Sequence, residues 1–189
     1  MPFLFNKLEI PDVVLIEPEM FPDARGTFGE LYKLSDFSQS GIKKQVVQIN
    51  YSKSDKNVLR GLHYQKNPMA QEKIVRVLSG KILDVAVDLR LGSPFYSKWV
   101  GVSLSSFDMK MLYIPEGFAH GFSVLSDSAE IEYLCTNVYS PENEKRIIYN
   151  DPALNIDWGL KNPVLSQKDA QYPVLALADN NFVYENTEI

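Results

Sequence analysis

The sequence is poor in the residues that most often bind metals or form disulfides. Its 189 residues contain one cysteine, Cys135, and two histidines, His63 and His120. A single cysteine excludes a disulfide within the chain and is typical of a reducing compartment. Any histidine-based chemistry must therefore use His63, His120 or both.

Long apolar segments and an excess of positive charge are also missing. No segment approaches the roughly 20 apolar residues of a membrane-spanning helix, and the start MPFLFNKLEIPDV has no long apolar core. The net charge of -5 argues against general attraction to nucleic acid. A G-x-G-x-x-G dinucleotide loop is absent as well. We expect a cytoplasmic protein that holds any anionic ligand with locally placed cations.

The sequence is instead rich in short apolar runs separated by turn-like segments. Forty-five per cent of the residues are hydrophobic, which indicates a folded protein. Alternation and β-branched content predict strands at residues 11–17, 27–34, 46–52, 73–77, 80–90, 99–104, 111–114, 120–125, 129–138 and 146–149. Many short strands with little helical periodicity favour an antiparallel sandwich or barrel.

Two short helices and one domain complete the predicted organisation. The first helix is expected at residues 35–39, with Ser35 or Asp36 as the N-cap and Gly41 at its end. The second lies in the tail after residue 150, with Ser166 as its N-cap. We expect a single domain over residues 1–189, with the barrel core at about 45–150 and the amino-terminal strands and helical tail packed on it.

The stretch 59–77, LRGLHYQKNPMAQEKIVRV, contains the most suggestive chemical groups. Strand alternation places His63 on one face with Gly61 and Gln65, in small and polar surroundings. Lys73 begins an alternating run that places Lys73, Val75 and Val77 on one face and Ile74 and Arg76 on the other. Arg60 falls on the face opposite His63 unless a bulge at Gly61 re-aims it. The pattern favours a catalytic group on a strand, although a lone strand histidine is commonly structural.

Polar groups on neighbouring predicted strands are consistent with a ligand site. Gln48 and Asn50 share a face where apolar residues are expected, and buried amides need partners. Tyr133 lies opposite Glu130 and Glu132, so its phenol points inward. Such a tyrosine is usually core packing, and it becomes a candidate acid only if it meets a base across a pocket.

Two other classes of function stay open from these residues. A metal-dependent barrel oxygenase needs two histidines and a carboxylate, for which His63, His120 and Glu72 are available. Gln65 occupies the position where such proteins often have the second histidine of an H-x-H motif. A module that binds sugars or sugar nucleotides without catalysis would also explain the polar face.

Several motifs, taken together, resemble the dTDP-4-dehydrorhamnose 3,5-epimerase family. They are FPDARGTFGE (21–30), QIN (48–50), LRGLHYQ (59–65), IPEGFAHGF (114–122), AEIEYLCTNVYSPENEKRIIYNDPALNIDWG (129–159) and SQKD (166–169). The resemblance covers nearly the whole chain in order. It implies an all-β fold, a cupin-type double-stranded β-helix or jelly-roll barrel. It also implies a homodimer formed by strand exchange, no metal or other cofactor, and a dTDP-linked 4-keto-6-deoxyglucose substrate.

The same resemblance implies a role for particular residues. His63 corresponds to the base, Asp169 to its carboxylate partner, Tyr133 to the acid on the far side of the sugar, and Lys73 to the group beside the enolate oxygen. Substrate-binding positions are matched by Arg25, Glu30, Gln48, Asn50, Arg60, Lys73, His120, Glu144 and Lys168. The aromatics Phe21 and Phe28 either stack on the thymine or belong to the core. Relatives with nearly the same site invert one centre, so a 3- or 5-epimerase is the alternative.

Overall fold

The structure, a computed structural model, describes residues 2–185. Met1 and residues 186–189 lie outside the described residues, although the predicted domain includes them. The assignment of one domain to residues 1–189 stays a prediction. Within the described residues, no helix is long and apolar enough to cross a membrane.

Strands account for most of the regular structure. They are β1 (Phe3–Lys7), β2 (Val14–Pro18), β3 (Met20–Asp23), β4 (Gly26–Gly29), β5 (Gln48–Asp55), β6 (Leu59–Gln65), β7 (Lys73–Ser79), β8 (Lys81–Asp88), β9 (Trp99–Ser105), β10 (Met111–Ile114), β11 (Phe118–Val124), β12 (Ser128–Cys135) and β13 (Glu144–Arg146). One α-helix, α1 (Leu34–Gln39), and two 3-10 helices, Asp169–Gln171 and Leu175–Leu177, join them.

Two antiparallel sheets carry the architecture. The larger sheet has the order β1-β2-β10-β7-β12-β5, and the smaller has the order β13-β6-β11-β8-β9. Strands β3 and β4 form a separate hairpin. Sequence neighbours such as β6 and β7 belong to different sheets, as in a jelly roll. The predicted all-β jelly-roll class is confirmed.

Apolar side chains fill three layers. Val75, Ile82 and Ile131 belong to the core cluster between the two sheets. A second cluster joins the larger sheet to α1, whose Phe37 is fully buried. A third cluster joins the smaller sheet to the carboxyl-terminal tail through residues such as Trp158. With the outer faces covered, neighbouring residues on both faces of a strand are buried, such as Ile74 and Val75 of β7 and Val85 and Ala86 of β8.

An irregularity in β6 brings Arg60 toward the same space as His63. His63 pairs with His120, and Arg60 pairs with Phe122. Two residues of β6, Gly61 and Leu62, therefore lie opposite the single residue Gly121 of β11. Gly61 lies in this bulge with φ +128°, and a Cβ there would lie 2.5 Å from the Gly121 Cα. Only glycine tolerates both this backbone conformation and this close approach. The bulge suggested by the sequence is therefore present.

Several predicted boundaries and caps are wrong. Helix α1 has Lys33 at its N-cap position, with no side-chain capping bond, so neither Ser35 nor Asp36 is the cap. The predicted strand at 27–34 ends at Gly29, because Tyr32 turns to pack against Phe37 and the helix begins at Leu34. The tail contains two short 3-10 helices and no α-helix in its described part.

Candidate active site

A cavity of about 310 Å³ opens between the two sheets. The smaller sheet supplies Arg60, His63, His120 and Glu144, and the larger sheet supplies Asn50, Ser52, Lys73, Tyr133 and Cys135. Polar and ionisable side chains thus face each other across a narrow space. A ligand bound there would be contacted by different groups on its two sides.

His63 is held by a carboxylate from the distant tail. Its Nε2 lies 3.0 Å from Asp169 Oδ1, and Ser166 donates a hydrogen bond of 2.8 Å to Asp169 Oδ2. Burial acts to raise the pKa of Asp169, but hydrogen bonds, chiefly from His63, outweigh burial and leave this pKa at about 2. An ionised carboxylate only accepts hydrogen bonds, so Nε2 of neutral His63 carries the hydrogen. The lone pair is then on Nδ1, where a proton can be accepted.

Tyr133 belongs to the opposite sheet. Its hydroxyl lies 2.9 Å from the Ser52 hydroxyl, and its ring packs edge-on against His120 with centroids 6.0 Å apart. Burial raises the pKa of Tyr133 above the ordinary value for a phenol. The hydroxyl therefore keeps its proton at neutral pH and can donate it to a ligand.

Lys73 lines the cavity at the start of β7, close to Cys135. Burial lowers the pKa of Lys73, while Cys135, Asp84 and Glu144 act in the opposite direction. Among residues 2–185, no ion-pair partner of its ammonium lies within 4.0 Å. An anionic oxygen of a ligand can therefore satisfy it.

His120 lies deeper than the sequence indicated. The predicted strand begins at residue 120, but β11 begins at Phe118 and His120 is buried within it. Its Nε2 lies 2.7 Å from Asp84 Oδ1. Burial lowers the pKa of His120 although Asp84 acts to raise it, so the imidazole is neutral.

Comparison with known proteins shows the family of the chain. The family described as dTDP-4-dehydrorhamnose 3,5-epimerase matches residues 7–177. The chain belongs to the dTDP-4-dehydrorhamnose 3,5-epimerase family. A relative with that name from Shigella flexneri is 52% identical over 164 residues, which cover 86% of this chain and 91% of the relative.

Solved structures of epimerases have the same fold. RmlC from Legionella pneumophila, solved with dTDP-4-keto-L-rhamnose, has a TM-score of 0.89 and 46% identity, covering 93% of this chain and 94% of its own. ChmJ from Streptomyces bikiniensis, a 3'-monoepimerase solved with dTDP-quinovose, has a TM-score of 0.85 and 33% identity, covering 90% and 87%. Both enzymes with two inversions and enzymes with one therefore share this architecture.

The remaining substrate-binding positions expected for an epimerase divide into two groups. Gln48 borders the cavity, since its amide donates to Asn50 and accepts from the Tyr139 backbone. Arg25, Glu30 and Lys168 are exposed and line no part of the cavity formed by the described chain. Arg25 contacts Asp23 in the β3–β4 hairpin, and Glu30 faces Lys33.

Sequence reasoning missed two polar residues and left the hairpin aromatics undecided. Asp84 is fully buried on the inner face of β8, where a charged residue among apolar neighbours was the available signal. Ser52, which contacts Tyr133, gave no signal of its own. Phe21 and Phe28 are 46% and 68% exposed, so they do not belong to the core.

A metal site was the main alternative from the sequence. In the part of the chain that the structure describes, no three side chains from histidine, cysteine, aspartate and glutamate converge as metal ligands. Glu72, the carboxylate considered for that role, lies toward Tyr113 and Lys44 rather than in the cavity.

Proposed function

We propose that this protein converts dTDP-4-dehydro-6-deoxy-D-glucose to dTDP-4-dehydro-L-rhamnose by inverting C3 and C5 through proton transfer. One observation carries this proposal. His63 and Tyr133 face a common cavity from opposite sheets, with Lys73 beside them. Inversion requires proton removal on one face of a carbon and proton delivery on the other, and two groups across a cavity can perform both.

Proton removal is assigned to His63. The C4 ketone acidifies the hydrogens on C3 and C5, because the resulting carbanion is an enolate. Neutral His63 accepts the proton on Nδ1, and the ionised Asp169 stabilises the imidazolium that forms. Lys73, which has no ion-pair partner within the described residues, donates a hydrogen bond to the negative oxygen of the enolate. Each developing charge thus meets a group that stabilises it.

Proton delivery is assigned to Tyr133. Its high pKa keeps the phenol protonated, and the enolate is basic enough to take that proton. Ser52, 2.9 Å away, orients the hydroxyl and stabilises the phenolate that is left. Exchange with water then restores both groups before the second inversion.

Counting exchanged hydrogens in deuterated water tests this function. We expect deuterium at both C3 and C5 of the dTDP-4-keto sugar recovered after turnover, because each inversion passes through an enolate. Mass spectrometry gives the number of deuterons, and NMR gives their positions. Substrate incubated without protein is the control for spontaneous exchange.

Each alternative predicts a different outcome of this experiment. Exchange confined to C3 or to C5 would replace the double reaction with a single inversion. Tight binding of the nucleotide sugar without exchange would indicate a binding module. Loss of turnover after chelator treatment, with recovery on adding iron, would instead favour a metal-dependent enzyme.

We further propose that the protein is a homodimer whose subunits exchange strands. Strand β5 is an edge of the larger sheet, and its outward Ile49 is 60% exposed. The β3–β4 hairpin carries the exposed Phe21, Phe28 and Arg25. An apolar sheet edge and protruding aromatics are typical of an interface. A hairpin that crosses to the partner would bring Arg25 toward the diphosphate, whose oxygens suit a guanidinium.

Mixed dimers test this exchange. Arg25→Ala is expected to lower kcat/KM at least about tenfold through loss of a charge-assisted contact. Heterodimers of Arg25→Ala and His63→Ala subunits, co-expressed and isolated through two affinity tags, should regain about half of the wild-type activity, because one of their two sites contains both native residues. Absence of recovery would show that Arg25 acts within its own chain.

The proposed location is the cytoplasm. Cys135 is a free, buried thiol and the one cysteine of the chain. Free thiols of this kind are typical of reducing compartments.

A further inference from the structure

Tyr172 lies in the tail next to His63, the proposed base, and has no assigned role so far. It follows the 3-10 helix Asp169–Gln171, directly after the turn that carries the carboxylate partner of His63. Its ring meets the His63 ring edge to face, with centroids 5.8 Å apart and an interplanar angle of 71°. Asp169 thus contacts Nε2 of His63, and the Tyr172 ring contacts the His63 ring.

Arg146 anchors Tyr172 from the sheet. Its guanidinium carbon lies 4.9 Å from the centre of the Tyr172 ring, a cation–π geometry. Arg146 also forms an ion pair with Glu144, which lines the cavity. A continuous set of contacts therefore runs from the cavity wall through Arg146 to Tyr172.

Tyr172 acts through its ring. Burial and the nearby Asp169 raise the pKa of Tyr172, so the phenol stays protonated. The ring contacts both the Arg146 guanidinium and the His63 imidazole, and these two contacts fix its position.

The turn that carries Asp169 is short. Ser166 Oγ accepts a hydrogen bond of 3.1 Å from the Asp169 backbone N–H, while Lys168, the N-cap residue of the 3-10 helix Asp169–Gln171, forms no side-chain cap. Within the described chain, Ser166 is the other side chain besides His63 with a short hydrogen bond to the Asp169 side chain. Without a link to the sheet, the carboxylate would shift relative to His63, and small displacements of a catalytic group are costly.

We infer that Tyr172 is a positioning residue for the His63–Asp169 pair, and that Arg146 holds Tyr172 in place through its ring. The inference rests on the proposed role of His63 as the base. It adds a contact between the tail and β13 that keeps the carboxylate in place relative to the imidazole. Neither Arg146 nor Tyr172 lines the cavity.

Tyr172→Leu tests this role, because it removes the ring and its contacts with Arg146 and His63. It should lower kcat about tenfold with little change in KM, because Tyr172 does not line the cavity. Tyr172→Phe keeps the ring and both contacts, so its kcat and KM should stay close to wild type. Epimerisation measured over a range of substrate concentrations gives both constants.

Tyr184→Leu is the matched control. The Tyr184 ring also lies 4.9 Å from a guanidinium, that of Arg90, but it lines no part of the cavity. The kcat and KM of this variant should match the wild type. A wild-type kcat in Tyr172→Leu, or an equal loss of kcat in Tyr172→Phe, with His63→Ala inactive, would overturn this inference alone. Retained activity of His63→Ala would overturn the proposed function instead.

Discussion

His63→Ala is expected to abolish epimerisation and to lower deuterium exchange at C3 and C5 by at least about 10³-fold. The structure offers no equivalent replacement within the described residues: the other histidine, His120, is buried and already paired with Asp84. Lys73, from the opposite sheet, would have to remove the proton from the wrong face. Binding of the nucleotide sugar should change much less, because His63 contributes one contact among many.

Asp169→Asn is the companion variant that separates the base from its orientation. An amide can donate a hydrogen bond to Nε2 and so favour the tautomer with hydrogen on Nδ1, which cannot accept the proton. We expect a fall in kcat of at least about 10²-fold with KM nearly unchanged. Solvent exchange by His63→Ala at a rate near wild type would contradict the assignment of the base.

The pH behaviour of this pair follows from the direction of the Asp169 shift. The pKa of Asp169 is about 2, below the ordinary value of 3.8. A carboxyl group with a lowered pKa stabilises the folded state above its unfolded-state pKa, and this stabilisation is lost as the pH falls toward 2. Asp169 therefore stays ionised throughout the neutral range and keeps its hydrogen bond with His63 there.

Local sequence patterns predicted the parts of the site that depend on alternation. Tyr133 and Lys73 point into the cavity because strand side chains alternate, and glycine at position 61 signalled the bulge that re-aims Arg60. The strand ends were less predictable: residues 27–34 look like one strand, yet packing of Tyr32 on Phe37 ends it early.

Long-range contacts were outside the reach of such patterns. Asp169 lies 106 residues from His63, and only the packing of the tail on the smaller sheet brings them together. Family resemblance indicated this pair, whereas local periodicity did not. Asp84 and Ser52 were missed because a buried carboxylate or hydroxyl is recognised by its partner, and the partner lies on another strand. Tyr172 gave no signal for the same reason.

Tyr133→Phe should uncouple hydrogen exchange from inversion. His63 still forms the enolate in this variant, and it can return a deuteron to the face from which it removed the proton. We expect exchange in deuterated water to stay within about tenfold of wild type, while inversion falls by about 10²-fold or more for want of the opposite acid. The recovered sugar would then contain deuterium but keep its original configuration.

The variant is conservative for the fold, so this outcome can be attributed to the hydroxyl. The phenylalanine ring keeps the packing of Tyr133 against His120 and Phe122. Ser52→Ala is the matched control: it removes the 2.9 Å partner of the hydroxyl but leaves the acid, so inversion should slow modestly and exchange should stay near wild type. Inversion at the wild-type rate in Tyr133→Phe would mean that water or another group supplies the second proton. Equal loss of exchange and inversion would indicate that Tyr133 takes part in forming the enolate, the step assigned to His63.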